Sequence, residues 1–353
     1  MATLGVDARN YFLACYAVSL IQGETLRGKS IRSRTVINYL TAAYALFAAR
    51  KLFYLPLLGT DYIHLIVTTL KNYEEVPRRR NMISDDMMWW MLRKSSTHSP
   101  DSAFVAILDW TILGRYTGAR QSEWCQVSST KYKRIEVWPN TPPEAFILSD
   151  FVFLDTNKRH ITITIHTDPR DASYVRIKWR KQKNGDNGEE IDFGRHTHRK
   201  FCPVLAAVRI VQRSLRLHTP RDEPIAVFTN NARQRRFITA KGVATQFQTA
   251  AHHAHNIAKS DKHLQQWTTH SIRVTAANLL HRERFADSFI QKRLRWKSRS
   301  FLMYLRNTIY AADEHASLKL SPENLPPPED RVYRNNEPHD IMFQKVVPQH
   351  HLV

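Results

Sequence analysis

Between Trp267 and Asn307 the chain reads WTTHSIRVTAANLLHRERFADSFIQKRLRWKSRSFLMYLRN, and His270, Arg273, Trp296 and Tyr304 within it can act on an anion. His270 and Arg273 are three apart in HSIRVTAANLL, where Ile272, Ala276, Leu279 and Leu280 keep helical spacing. Residues three apart share a helix face, so the imidazole and the guanidinium reach one target. Further on, Ser298 can cap a short helix that carries Tyr304. An Arg fixed by a helix, a His beside it and a Tyr brought in later form a set suited to attack on a phosphodiester.

The target class follows from charge. Lys and Arg total 52 against 32 Asp and Glu, a formal charge of +20. A field of that sign favours polyanions, nucleic acid before an acidic membrane surface. Cys15, Cys125 and Cys202 are far apart and form neither a disulfide framework nor a CxxC pair, which fits a reducing compartment. The start, MATLGVDARN, has no secretory pattern, and the longest apolar run, Tyr11 to Ile21, is too short to span a bilayer. A soluble intracellular protein is expected.

At 353 residues, two domains are expected. Tyr11–Leu20, Arg34–Leu52 and Tyr62–Leu70 show helical apolar spacing and predict a small bundle, punctuated by Gly23, Gly28, Pro56 and Gly59. NYEEVPRRRN (72–81) reads as a linker. Helices are predicted at Ser84–Lys94 and Ser102–Tyr116, the second strongly apolar and closed by Gly118 as a left-handed cap. Arg120 then opens a new helix, and Glu123, three residues on, can orient an Arg.

From about residue 150 the period changes from that of a helix to about 2. Phe151–Leu154, His160–His166 and Tyr174–Trp179 alternate as strands do, and a turn at Asn184-Gly185 and Asn187-Gly188 leads to Glu190–Phe193. Lys183 stands just before that turn, either as a solvated charge or as a mobile general acid. Helices return at Pro203–Leu217 and Thr239–Ala258. His252, His253, His255 and His263 cluster without a Cys or acidic partner at ligand spacing, so a surface cluster is favoured over a metal site. Beyond Tyr310 periodicity is lost, and the Pro-rich tail is expected to be extended or disordered.

Arg120, Lys183, His270, Arg273, Trp296 and Tyr304 stand in an order that resembles the tyrosine recombinases, the phage-integrase family. TGARQSEW (117–124) is similar to the family's first Arg box, with Glu123 as the acidic companion, and HSIR (270–273) to its H-x-x-R box. WKSRSFLMYLRN (296–307) resembles the end of Cre-like members, with Tyr304 as nucleophile and Trp296 where most have His. The family's Leu-Gly-His triplet reads Leu294-Arg295-Trp296 here. Lys183 matches the β-hairpin Lys, with Lys178 and Lys181 as alternatives. The wording RLRWKSRSFLMYLR is similar to recombinases of eukaryotic crypton-type mobile elements.

The resemblance implies a mainly α fold with a small antiparallel β-sheet (α+β), in which a helical N-terminal bundle precedes an integrase-like catalytic domain. The implied boundaries are 1–75 for a core-binding domain, 76–83 for a linker, 84–320 for the catalytic domain and 321–353 for the tail. It implies double-stranded DNA as partner, a homotetramer on paired sites, no metal, ATP or small-molecule cofactor, no membrane, and nuclear residence in a eukaryote. A type IB topoisomerase and a catalytically silent DNA-binding descendant are the alternatives.

The residue types suit that chemistry. Two guanidiniums, Arg120 and Arg273, fork onto non-bridging phosphate oxygens in a way Lys cannot. His270 moves a proton near neutral pH. Trp296 can only donate its indole N–H.

Overall fold

The computed structural model describes residues 6–24, 31–49, 65–66, 68–69, 71–72, 79–126, 143–183 and 185–305. The readings that rest on residues 50–64, Asn184, Tyr310 and the tail lie outside them. The chain divides into two compact units, Met1–Arg78 and Arg79–Val353.

In the first unit, helix α1 (Val6–Gln22) packs on α2 (Ser33–Ala49). Their seam is Leu13, Ala17 and Leu20 against Val36 and Leu40, the three-to-four spacing of one helix stripe. α1 starts at Val6, earlier than Tyr11, where its apolar pattern begins.

The second unit is built on α4 (Ala103–Thr117), which follows α3 (Asp85–Ser95). Ser102 accepts from the Val105 N–H at its start, and Gly118 closes it at φ 56°. Residues Ala106 to Gly114 of α4 are all buried. The charge among them, Asp109, is neutralised by Arg209, 2.6 Å away, and by Arg213. Both belong to α6 (Pro203–Arg216), which opens on a first-turn proline.

A short helix, α5 (Gln121–Trp124), follows α4, and later come α7 (Ala240–His255), α8 (Ser271–Arg282) and α9 (Asp287–Arg293). α4 packs against α6 and α8, and α3 against α7. The α4–α8 approach is close: a Cβ on Gly114 would stand 2.6 Å from Cγ2 of Ile272.

Strands β1 (Phe151–Leu154), β2 (His160–Ile161), β3 (Tyr174–Trp179) and β4 (Glu189–Gly194) form an antiparallel sheet in the order β2-β1-β3-β4. Phe153, Val175 and Phe193 lie in register and are all buried, as period two requires. The HITITIH stretch does not continue as a strand to His166. Thr164 and Thr167 bond to each other through backbone and hydroxyl, which turns the chain after Ile161. Strands β5 (Val227–Thr229) and β6 (Arg235–Phe237) form a hairpin that the alternation pattern missed, as each offers only three residues. α7 ends at His255 rather than Ala258, since Asn256 turns left-handed at φ 53°.

Among the described residues no helix is long and apolar enough to cross a membrane. No group of three or more His, Cys, Asp or Glu that could hold a metal occurs among them. The histidines of α7 serve instead as aromatic partners: His253 stacks on Trp90 at 4.8 Å, and His255 on Trp267 at 6.0 Å.

Candidate active site

The C-terminus of α4 is the floor of the site. The last carbonyls of a helix have no partner within it, and here two guanidiniums supply one. Arg273 Nη1 donates to the Gly118 carbonyl at 2.7 Å, and Arg295 Nη1 to the Thr117 carbonyl at 3.0 Å. Both cations also complement the negative end of the helix.

Arg120 occupies the N-cap position of α5. Its backbone N–H donates to Glu123 Oε2 at 2.8 Å and its Nη1 to Oε1 at 3.0 Å, the i,i+3 reach read from the sequence. The Glu123 side chain is 2% exposed, against 18% for Arg120. Oε2 of Glu123 also accepts from the Trp179 indole at 3.2 Å and from Arg295 Nη2 at 3.0 Å. The aromatic stack of Trp110 on Trp124, at 5.4 Å and 18°, fixes α5 against α4.

His270 stands just before α8 and Arg273 in its first turn. The start of α8 is tied to α5 by Thr269, whose hydroxyl donates to Gln121 Oε1 at 3.0 Å. That bond brings the two Arg-bearing segments together across 148 residues. Burial, and then the Arg120 and Arg295 guanidiniums, press Arg273 down to about 9. Burial, then Arg273 and Arg80, press His270 down to about 4, so its imidazole is neutral at pH 7.

The segment after α9 folds back onto α8. Ile290, Leu294, Phe301, Leu302 and Leu305 bury themselves against Ala276 and Ala277. Arg299–Tyr304 is a 3₁₀ helix, tighter than the α-helix its spacing suggests. Asn278 of α8 donates to the Tyr304 carbonyl at 2.7 Å. The Tyr304 ring then meets His270 and Trp296, both at 5.1 Å between centroids. The Arg273 guanidinium lies over the Trp296 ring at 4.3 Å. The Trp296 Nε1–H is buried and has no hydrogen-bond partner among the described residues.

Arg120, Glu123, His270, Arg273, Trp296 and Tyr304 are thus brought together. Lys183 is not. It is exposed in the β3–β4 turn, with no hydrogen bond or ion pair among the described residues. Its alternative Lys178 pairs with Glu190 at 3.6 Å. The turn itself is joined to the site's last segment by Lys297 Nζ on Asp186 Oδ1, 3.2 Å.

Two residues escaped the sequence reading. Asn278 carries no signal there beyond a polar residue on a helix. Arg295 sits among Arg293 and Lys297 and looks like another solvated cation, yet its side chain is 0% exposed and its φ is 58°. The left-handed region costs a residue with a Cβ about 1–2 kcal/mol.

Chemically, the cluster sets three guanidiniums and the Trp296 indole donor around the Glu123 carboxylate, with Glu189 also acting on Arg295. It has an excess of positive charge, a tyrosyl side chain and a neutral imidazole. That combination suits an oxyanion that undergoes attack.

No protein-family model matches the chain, and no curated protein sequence does. Solved structures do match. The Tn1549 transposon integrase in complex with transposon right end DNA superposes with a TM-score of 0.50 at 12% identity, over 90% of this chain and 86% of that one. XerA recombinase gives 0.40 at 17% identity, over 90% and 92%. A lambda integrase dimer bound to a COC′ core site gives 0.41 at 14%, over 87% and 91%. At such identities it is fold that is shared, and the first of these carries it. The chain is a mainly helical α+β protein with a small antiparallel sheet and an integrase-like fold, the fold implied by its sequence resemblance to the tyrosine recombinases.

Proposed function

We propose that this chain is a site-specific DNA recombinase that cuts and rejoins double-stranded DNA through a covalent 3′-phosphotyrosine at Tyr304. One observation carries the reading: Arg120, Arg273 and Arg295 surround the Glu123 carboxylate beside the Trp296 N–H, which has no hydrogen-bond partner among the described residues, with the Tyr304 ring against His270. Excess buried positive charge next to a nucleophile favours a phosphodiester whose charge grows in the transition state.

In this reading the Tyr304 oxygen attacks phosphorus while its proton passes to neutral His270. Arg120, Arg273 and the Trp296 N–H hold the non-bridging oxygens. Lys183, carried in on the β3–β4 turn, protonates the departing 5′ oxygen. The ester to Tyr304 keeps the bond energy, so a second strand's 5′ hydroxyl reverses the step without ATP. The guanidiniums take the place a metal ion would fill.

The first unit would serve as a DNA-binding domain, joined by the linker at 76–83 to the catalytic domain of 84–320, and a homotetramer on paired sites would exchange strands. The Tn1549 integrase was solved with DNA of its own transposon. The test is a nicked duplex that traps the ester. A protein–DNA adduct resistant to SDS is expected, undiminished by chelator. Adduct that needs added Mg²⁺ sinks the mechanism, and no adduct on any substrate leaves a DNA-binding protein without strand exchange.

A further inference from the structure

Arg295 is buried where it cannot meet DNA, yet it is wired into the Arg120–Glu123 pair twice. Its Nη2 donates to Glu123 Oε2 at 3.0 Å, and its own carbonyl accepts from Arg120 Nη2 at 3.1 Å. Its guanidinium lies over the Trp179 ring at 3.9 Å, so the cation is held from a flat face as well. It does this with a left-handed backbone, a conformation in which glycine would be at ease.

The two oxygens of Glu123 are used differently. Oε2 takes the Arg120 backbone N–H, the Trp179 indole and Arg295, while Oε1 takes, among the described residues, only Arg120 Nη1. A carboxylate and a guanidinium left to themselves pair through both oxygens and two nitrogens. With Oε2 filled, Arg120 meets Glu123 through one nitrogen. Of its five N–H donors, one then goes to Glu123 and one to the Arg295 carbonyl, and three are left for a ligand.

We propose that Arg295 is a positioning residue: by saturating Glu123 Oε2 and accepting from Arg120 Nη2, it keeps the Arg120 guanidinium from folding onto the carboxylate and turns its remaining donors toward a phosphate. Without the Arg295 side chain, Glu123 Oε2 keeps the Arg120 backbone N–H and the Trp179 indole, but one of its three places opens to a second Arg120 nitrogen, and the fork closes on the protein's own acid. The inference rests on the strand-exchange reading for its consequence in catalysis. Its geometric claim, an oxyanion seat that depends on Arg295, is read without any reaction.

The variant Arg295→Gly suits the backbone and removes the side chain, and Arg295→Met fills the space without charge. Each is compared with wild type for melting temperature, DNA affinity, binding of inorganic vanadate, and adduct formation on saturating nicked DNA. A folded variant with DNA affinity within about threefold is expected to bind vanadate about tenfold more weakly and to lose about tenfold or more in kcat with KM nearly constant. Added guanidinium ion, small enough to refill the space between Glu123 and Trp179, is expected to restore part of both losses in Arg295→Gly. Should that variant not fold, the same readings in Arg295→Met decide. Vanadate binding and cleavage both within about threefold of wild type overturn the proposal. A wild type that forms no adduct, with vanadate binding still lost on removing Arg295, ends the strand-exchange reading and upholds the positioning role.

Discussion

The Tyr304 ring lies 5.1 Å from the His270 ring between centroids, the planes crossing at 61°. Asn278, buried in α8, fixes the Tyr304 backbone from the other side. His270 precedes the same helix, so one rigid element sets both partners. Tyr304→Phe removes one oxygen and keeps the ring, so packing against His270 and Trp296 should persist. We expect unchanged melting and DNA affinity with no SDS-resistant adduct. Tyr333→Phe, a substitution of the tyrosine in the Pro-rich tail, is the control and should form adduct as wild type does. Adduct that survives in Tyr304→Phe and vanishes in Tyr333→Phe moves the nucleophile.

Trp296 offers a separate reading of the phosphate seat. Its indole N–H is buried without a hydrogen-bond partner among the described residues. A buried polar group without a partner costs stability until a ligand pairs it. Trp296→Phe should therefore hold or slightly raise the melting temperature while cutting cleavage by about 100-fold, the usual loss for one transition-state donor. Equal cleavage in the variant would make Trp296 a packing residue only, seated on Phe301 and Tyr304.

Much of this site was legible in the chain. The caps at Ser102 and Gly118 set the ends of α4, and the spacing of Arg120 and Glu123 states their pairing, because i,i+3 geometry is local. The approach of Trp179 to Glu123 spans 56 residues, and that of Asn278 to Tyr304 spans 26. Neither has a local signature. Arg295 was hidden for a different reason. A cation between two others on a polar stretch is normally solvated, and a left-handed turn at a non-glycine is decided by what surrounds it. The HITITIH stretch misled in the opposite sense: its alternation is real, but β1 offers ladder partners only to His160 and Ile161.

His270 makes stability depend on pH. Its folded value, about 4, lies below the ordinary 6.5, with burial the larger cause and Arg273 and Arg80 the lesser ones. The unfolded chain therefore takes up this proton first as pH falls. The contribution is whole above about pH 6.5 and is lost as pH drops toward 4, bounded at about 3 kcal/mol. His270→Gln removes the titration. Wild type should lose more melting temperature than His270→Gln between those limits. Parallel curves would show that the imidazole is not buried among the guanidiniums as described.

The α4–α8 contact should be intolerant of volume. Gly114 meets the fully buried Ile272, and a Cβ there would clash with Cγ2 at 2.6 Å. Gly114→Ala gains helix propensity yet forces α8 outward, for a net cost of about 1–3 kcal/mol by denaturant melts. In an Ile272→Ala background, which lacks Cγ2, the added cost of Gly114→Ala should largely vanish. Stabilisation by Gly114→Ala alone would show that the helices are less tightly seated.

Arg120→Lys separates charge from geometry. Arg120 holds Glu123 through one nitrogen and the Arg295 carbonyl through another, so its plane is fixed before any ligand arrives. Lysine keeps the positive charge, and overall attraction to DNA should fall by no more than about threefold. It has no plane and no fork. Its ammonium can satisfy Glu123 or a phosphate oxygen, with nothing to orient it between them. The loss should appear where charge develops, in the rate of adduct formation on saturating DNA, by about 100-fold. Adding guanidinium ion should not restore it, since the lysine side chain still occupies the space. A rate within a few-fold of wild type would make Arg120 a structural partner of Glu123 and leave Arg273 as the principal cation facing the phosphate.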